Sequence, residues 1–279
     1  MKFTNLLPGF SKYIFTFFLL LLLSVNSYAG KVDTVAIYSK AMHKNISCVV
    51  IKPNAHKKKK NRFPVVYLLH GWSGKYSDWI IKEPLLMQYA DQYNCIIVCP
   101  DGAYGSWYFD SPVDSNYRYE THVGIEVPTF IDSAYHTIPN RMHRAITGLS
   151  MGGHGAFWLA FHHANIFGAV SSMSGGVDLF ESKNRFDISK RIGDSISTWN
   201  NYSIINMVEH YPKDSLKIFF DCGIDDIFIK GNRRLNEKLL QLKIPHDYTE
   251  RPGRHDWAYW KNTISYHLLF FRLFFDVNL

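Results

Sequence analysis

Cysteine is scarce in this chain: four among 279 residues, at positions 48, 95, 99 and 222. Their spacing matches no zinc or haem pattern, so no metal site is expected. All four lie in or beside apolar, strand-like runs, where a free thiol behaves as a small buried hydrophobe. Whether any two of them bridge stays open. No internal repeat is present, which excludes solenoids and propellers. Aromatic residues do not interleave with basic ones, so nucleic acid is not an expected partner. Apolar runs long enough to span a bilayer, roughly 20 residues, are missing too. Tyr13 to Val25 carries no charge but is only 13 residues long, and the Leu/Phe-rich stretch Leu268 to Phe275 has only eight. The latter reads as core packing.

What is present fits an ordinary enzyme core. Hydrophobic residues make up 47% of the chain and aromatic residues 16%. One domain of this length buries a full core. The first 29 residues differ from the rest. Lys2 and Lys12 precede the apolar run, and Ser27-Tyr28-Ala29 has the small-x-small shape of a signal peptidase site. Export is expected, with residues 1–29 a signal peptide and the mature domain covering residues 30–279; an uncleaved anchor is the alternative. Cleavage removes two lysines and no acid, so the formal charge falls from +7 to +5. Much of the excess sits in Lys57 to Lys60 and Arg62. Such a run can contact an acidic polymer or lipid head groups, but a solvated hairpin loop between two strands is preferred.

The patterning alternates strands with helices. Thr34 to Ser39 and Ile46 to Lys52 read as a hairpin, and Val65 to Leu69 as a strand buried on both faces. Pro84 to Tyr93 has helical spacing, and Cys95 to Cys99 is another strand. A Tyr/Ser/Asp-rich loop runs from Ala103 to Tyr119, and a helix with Pro128 in it from Thr121 to Tyr135. A strand to Gly148, a helix from Gly152 to His163 and a strand from Ala169 to Met173 follow. Residues 174–200 show no firm pattern. Ser203 to His210 reads as a short helix, Leu216 to Asp221 as a strand and Asn232 to Lys243 as an amphipathic helix. His246 to Arg251 is the last strand, and Asp256 to Phe275 a closing helix. The expected fold is therefore α/β: a mostly parallel sheet covered on both faces, its first hairpin antiparallel.

Gly148-Leu149-Ser150-Met151-Gly152 falls between a strand and a helix. A G-x-S-x-G pentapeptide in that setting is a nucleophile elbow. The turn cramps the serine backbone, and only small flanking residues tolerate it. A serine hydroxyl needs a base, usually a histidine held by a carboxylate, and in an elbow enzyme they follow in the order serine, acid, histidine. Phe219 to Asp226 leads from a strand into a loop with two adjacent acids, of which Asp226 is preferred to Asp225. Asp221, at the strand end, reads as structural. His255 follows Pro252-Gly253-Arg254 directly after the last strand, and its neighbour Asp256 reads as a helix N-terminal acid. Two backbone donors complete such a site. The N–H of Met151 is one, and the N–H of Trp72, in Leu69-His70-Gly71-Trp72-Ser73-Gly74, is the candidate for the other.

Leu68-Leu69-His70-Gly71, Gly148 to Gly153, Cys222 to Asp226 and Gly253 to Trp257 together resemble the esterase D / feruloyl esterase family (carbohydrate esterase family 1-like). This branch of the α/β-hydrolases also holds acetylxylan esterases, S-formylglutathione hydrolases and mycolyltransferases. The resemblance covers about residues 33–275. It implies Ser150 as nucleophile, Asp226 as acid, His255 as base, Trp72 and Met151 as oxyanion donors, and no cofactor. Trp107 to Tyr119, with Asp110-Ser111-Pro112, resembles the stretch that lines the acyl side, whereas residues 174–200 match poorly. His70, Gly71, Trp107, Tyr108 and Trp257 are the candidate substrate contacts. The expected activity is an exported serine esterase acting on acetyl or feruloyl-type esters of carbohydrates. Acyl transfer, a general carboxylesterase or thioesterase, and a carbohydrate-binding protein without turnover are the alternatives.

Overall fold

The computed structural model describes residues 30–57, 60–182, 185–211 and 216–277. The proposed signal peptide lies outside these residues. Strands β1 (Lys31–Ser39) and β2 (Lys44–Lys52) form the expected antiparallel hairpin, turning through His43 at φ 51°. The remaining strands are β3 (Val65–Leu69), β4 (Ile96–Pro100), β5 (Arg144–Gly148), β6 (Ala169–Met173), β7 (Lys217–Gly223) and β8 (Asp247–Arg251). Among the described residues they make one sheet in the order β1-β2-β4-β3-β5-β6-β7-β8. β2 pairs antiparallel with β4, and every pairing from β4 to β8 is parallel.

That order corrects one expectation. The basic stretch between β2 and β3 is not a hairpin loop, because β4 lies between those strands. Charge keeps a connection in water, but says nothing about which strand sits beside which. Lys60 and Arg62 are exposed, and Arg62 Nη1 donates to the Thr137 carbonyl at 3.0 Å.

Period-two alternation sends the central strands to two cores. Val65, Tyr67 and Leu69 join one buried cluster, Val66 and Leu68 the other. The first is covered by α3 (Val127–Ala134), α4 (Met151–His162) and the amphipathic α8 (Ile229–Gln241), through residues such as Val127, Phe157 and Leu235. The second is covered by α1 (Asp78–Lys82), α2 (Leu86–Gln92) and α9 (Trp257–Asp276), through Trp79, Leu86, Leu268 and Phe271. The apolar end of α9 is thus core, and no described helix is long and apolar enough to cross a membrane. All four cysteines are buried and free. Burial pushes the Cys95 thiol up to about 12.

Several helix boundaries differ from expectation. The helix expected over Pro84 to Tyr93 is α2, which starts only at Leu86, and the short helix α1 before it was not expected. The helix expected over 121–135 is a short turn (Tyr119–Thr121), a π-turn (His122–Glu126) and then α3. Pro128 lies in the first turn of α3, where its missing N–H costs no hydrogen bond. The unpatterned stretch holds α5 (Ile188–Ile192) and α6 (Ile196–Tyr202), and the helix expected over 203–210 is only the turn α7 (Ile204–Met207).

Candidate active site

The parallel strands place the loops after β3, β5, β7 and β8 at one edge of the sheet, where binding crevices form in such folds. β5 stops at Gly148 and α4 starts at Met151, leaving Ser150 on the turn at φ 56°, ψ −118°. A residue with a Cβ held there costs about 1–3 kcal/mol. The surroundings hold it in place. Its N–H donates to Met173 O at 2.9 Å, and its carbonyl accepts from the amides of Gly153 and His154 at 3.0 and 3.1 Å. A Cβ on Gly148 would come within 2.6 Å of the Gly152 backbone, and one on Gly152 within 2.5 Å of His70 O. The elbow glycines are therefore sterically required.

The acid and the base arrive on two loops zipped together. Ile224 N–H donates to Arg251 O at 2.9 Å and Asp225 N–H to Gly253 O at 3.0 Å. Gly223 and Gly253 allow this approach, since a Cβ on Gly223 would meet Gly253 O at 2.4 Å and Gly253 sits at φ 151°. The zipper turns Asp225 to solvent and buries Asp226. One Asp226 oxygen accepts from Phe228 N–H at 2.8 Å. His255 Nδ1 lies 3.0 and 2.9 Å from the two Asp226 oxygens, and its Nε2 lies 2.8 Å from Ser150 Oγ. Phe228 and Trp260 pack edge-on against the imidazole at 5.0 and 5.1 Å. The neighbouring acids stand apart from this row. Asp221 accepts from Arg251 Nη1 at 2.7 Å, and Asp256 caps α9 by accepting from Tyr259 N–H at 3.0 Å.

Met151 is the first residue of α4, so its N–H has no intrahelical acceptor and adds to the positive end of the helix dipole. Gly71 brings the β3 loop alongside, since a Cβ there would lie 2.7 Å from Leu149 Cδ1 and 3.6 Å from Ser150 Cβ. Among the described residues neither Met151 N–H nor Trp72 N–H has a hydrogen-bond partner. Two free amides thus flank the serine, one from each loop. No group of three or more metal-ligating side chains occurs among the described residues.

A cleft of about 180 Å³ opens onto Ser150 and His255. Of the candidate substrate contacts, Gly71 and Trp257 line it, as does Trp72. His70, Trp107 and Tyr108 do not, and their assignment as contacts is corrected. They are 1%, 1% and 0% exposed. The loop after β4 turns inward through Trp107 and Tyr108 at φ 56° and 61°, which buries both rings. Trp107 Nε1 donates to Phe186 O at 2.8 Å and Tyr108 O–H to His70 O at 3.0 Å, so both brace the walls from behind. Phe186, Asp78 and Trp260 line the cleft and escaped the sequence reading. Trp260 stands one helical turn beyond Trp257, a spacing that offered a signal. Phe186 comes from the unpatterned stretch, and nothing in the sequence around it marks it. The next residue, Asp187, accepts from Trp72 Nε1 at 3.2 Å.

Residues 39–271 match the Esterase family model. An acetyl esterase from Caldicellulosiruptor saccharolyticus is 26% identical over 83% of this chain and 94% of its own length. An S-formylglutathione hydrolase from Mus musculus is 26% identical over 76% of this chain and 82% of its own. A solved ferulic acid esterase superposes with a TM-score of 0.78 at 28% identity, covering 89% of this chain and all of that one. A family match running from the first hairpin into the closing helix, through every loop that builds the cleft, makes this chain a member of the Esterase family and a carboxylic ester hydrolase.

Proposed function

We propose that this protein is an exported serine esterase that removes acetyl or feruloyl-type groups from polysaccharides or their fragments. The unbroken row Ser150–His255–Asp226 carries the reading. Ser150 O–H donates to His255 Nε2, which leaves the ring proton on Nδ1, facing Asp226. Oγ attacks the ester carbonyl as its proton passes to Nε2, and Asp226 stabilises the imidazolium. The developing oxyanion accepts from Trp72 and Met151 N–H, each worth about 3–4 kcal/mol. His255 then protonates the departing alcohol and activates the water that clears the acyl-enzyme.

The lining supports a carbohydrate ester. Trp72, Phe186, Trp257 and Trp260 offer flat apolar faces, and the Asp78 carboxylate can accept from a hydroxyl. The names of the similar proteins, an acetyl esterase and a ferulic acid esterase, point the same way. Hydrolysis of p-nitrophenyl acetate by the native chain, abolished in Ser150→Ala, is the expected result. Equal hydrolysis by the two overturns the proposal. Acetylated xylan against methyl ferulate then separates the acyl groups, and a mature N-terminus at Gly30 tests export.

A further inference from the structure

The Gly71 carbonyl and the Trp72 N–H are opposite ends of one planar peptide unit, so whatever fixes the first aims the second. Two groups converge on Gly71 O: the Gly74 amide at 3.0 Å and His70 Nδ1 at 2.8 Å. On the far side of the ring, Gly102 N–H donates to His70 Nε2 at 2.8 Å. That donor requires a bare Nε2, so the neutral ring holds its proton on Nδ1 and donates it to Gly71 O. Burial lowers the basicity of the ring and keeps it neutral, against the opposing pull of Asp101, the Gly71 carbonyl and Asp78. The residue is itself held, because its own carbonyl accepts from Tyr108 O–H at 3.0 Å and the Tyr108 ring lies 5.9 Å away.

We propose that His70 is a positioning residue that clamps the Gly71–Trp72 peptide from behind and aims the Trp72 amide at the oxyanion. The proposal rests on the reading of Trp72 as an oxyanion donor. It gives a role in catalysis to a side chain that no substrate can reach.

Two substitutions divide the ring's contacts. In His70→Asn the amide nitrogen falls near Nδ1 and keeps the bond to Gly71 O. In His70→Gln the amide reaches toward Nε2 and keeps only the Gly102 contact. With p-nitrophenyl acetate, His70→Asn is expected to retain kcat within about threefold. His70→Gln should lose roughly ten- to a hundredfold in kcat, part of the 10²–10³ that complete removal of an oxyanion donor costs. KM should stay within about twofold of the native value, as expected for an interaction made only in the transition state. Affinity for a trifluoromethyl ketone, which forms a tetrahedral adduct on the serine, should fall with kcat. Equal losses in the two variants, or a loss carried by KM, overturn the clamp. Nitrogen NMR of the native chain tests it without substitution, since a proton on Nε2 of His70 would also overturn it. Should Ser150→Ala retain activity, the serine mechanism fails as well. If Ser150→Ala is dead while His70→Gln keeps its kcat, only the clamp fails.

Discussion

Ser150 illustrates how much of this site depends on single residues. A backbone at φ 56° is tolerable only because the neighbouring glycines leave no Cβ in the way. The choice between two adjacent acids is equally local. Asp226 meets the imidazole, while Asp225 is spent on the contact between loops and faces water. Asp226→Asn should therefore lower kcat by about 10³–10⁴-fold, because the amide no longer holds the ring in its working tautomer. Asp225→Asn should stay within about twofold, both read from p-nitrophenyl acetate kinetics. The serine, acid and base were legible because their order and their places after strands follow from the chemistry of an elbow. Trp107 and Tyr108 misled for an equally physical reason: aromatic residues in a polar loop suggest a stacking surface, and nothing local reveals that the loop folds inward. Phe186 was illegible because its place in the cleft is set by contacts far away in sequence, to Trp72 and Trp107.

At the scale of elements, α4 does more than follow the elbow. His154 on its second turn is 0% exposed, its Nε2–H donating to Tyr202 O at 2.9 Å and its ring 5.3 Å from both Trp107 and Phe109. Burial pushes its pKa down to about 3 from 6.5. Between those values the unfolded chain binds a proton that the folded chain refuses. The contribution is whole above about pH 6.5 and falls as pH drops toward 3, by up to about 1.4 kcal/mol per pH unit. Urea midpoints should accordingly decline from pH 6.5 to 4.5, and His154→Gln, which keeps an N–H for Tyr202, should flatten the decline. The strands were easier to read than the helices. Buried parallel strands are short continuous apolar runs, whereas helix boundaries turn on single prolines: Pro84 lies in the turn before α2, and Pro128 in the first turn of α3.

Across the whole molecule, a buried polar chain ties together the elements that carry the site. Ser171 on β6 donates to Thr147 on β5 at 2.7 Å, and its hydroxyl meets His267 Nδ1 of α9 at 2.8 Å. His267 Nε2 stands 3.4 Å from Asp221 on β7, whose carboxylate pairs with Arg251 on β8. The Asp221 side chain is 0% exposed and that of Arg251 20%. Removing the guanidinium strands a charge in the core, so Arg251→Ala should cost about 3 kcal/mol or more in urea unfolding.

The long helix α9 completes this chain of contacts only when Trp257–Asp276 is in place. A ribosome that has released residues up to the elbow has delivered an alcohol with nothing to take its proton. The base follows more than a hundred residues later, on a loop seated by α9. Hydrolytic competence should thus emerge abruptly once His255 and α9 are in place, and a product truncated before His255 should be a silent one.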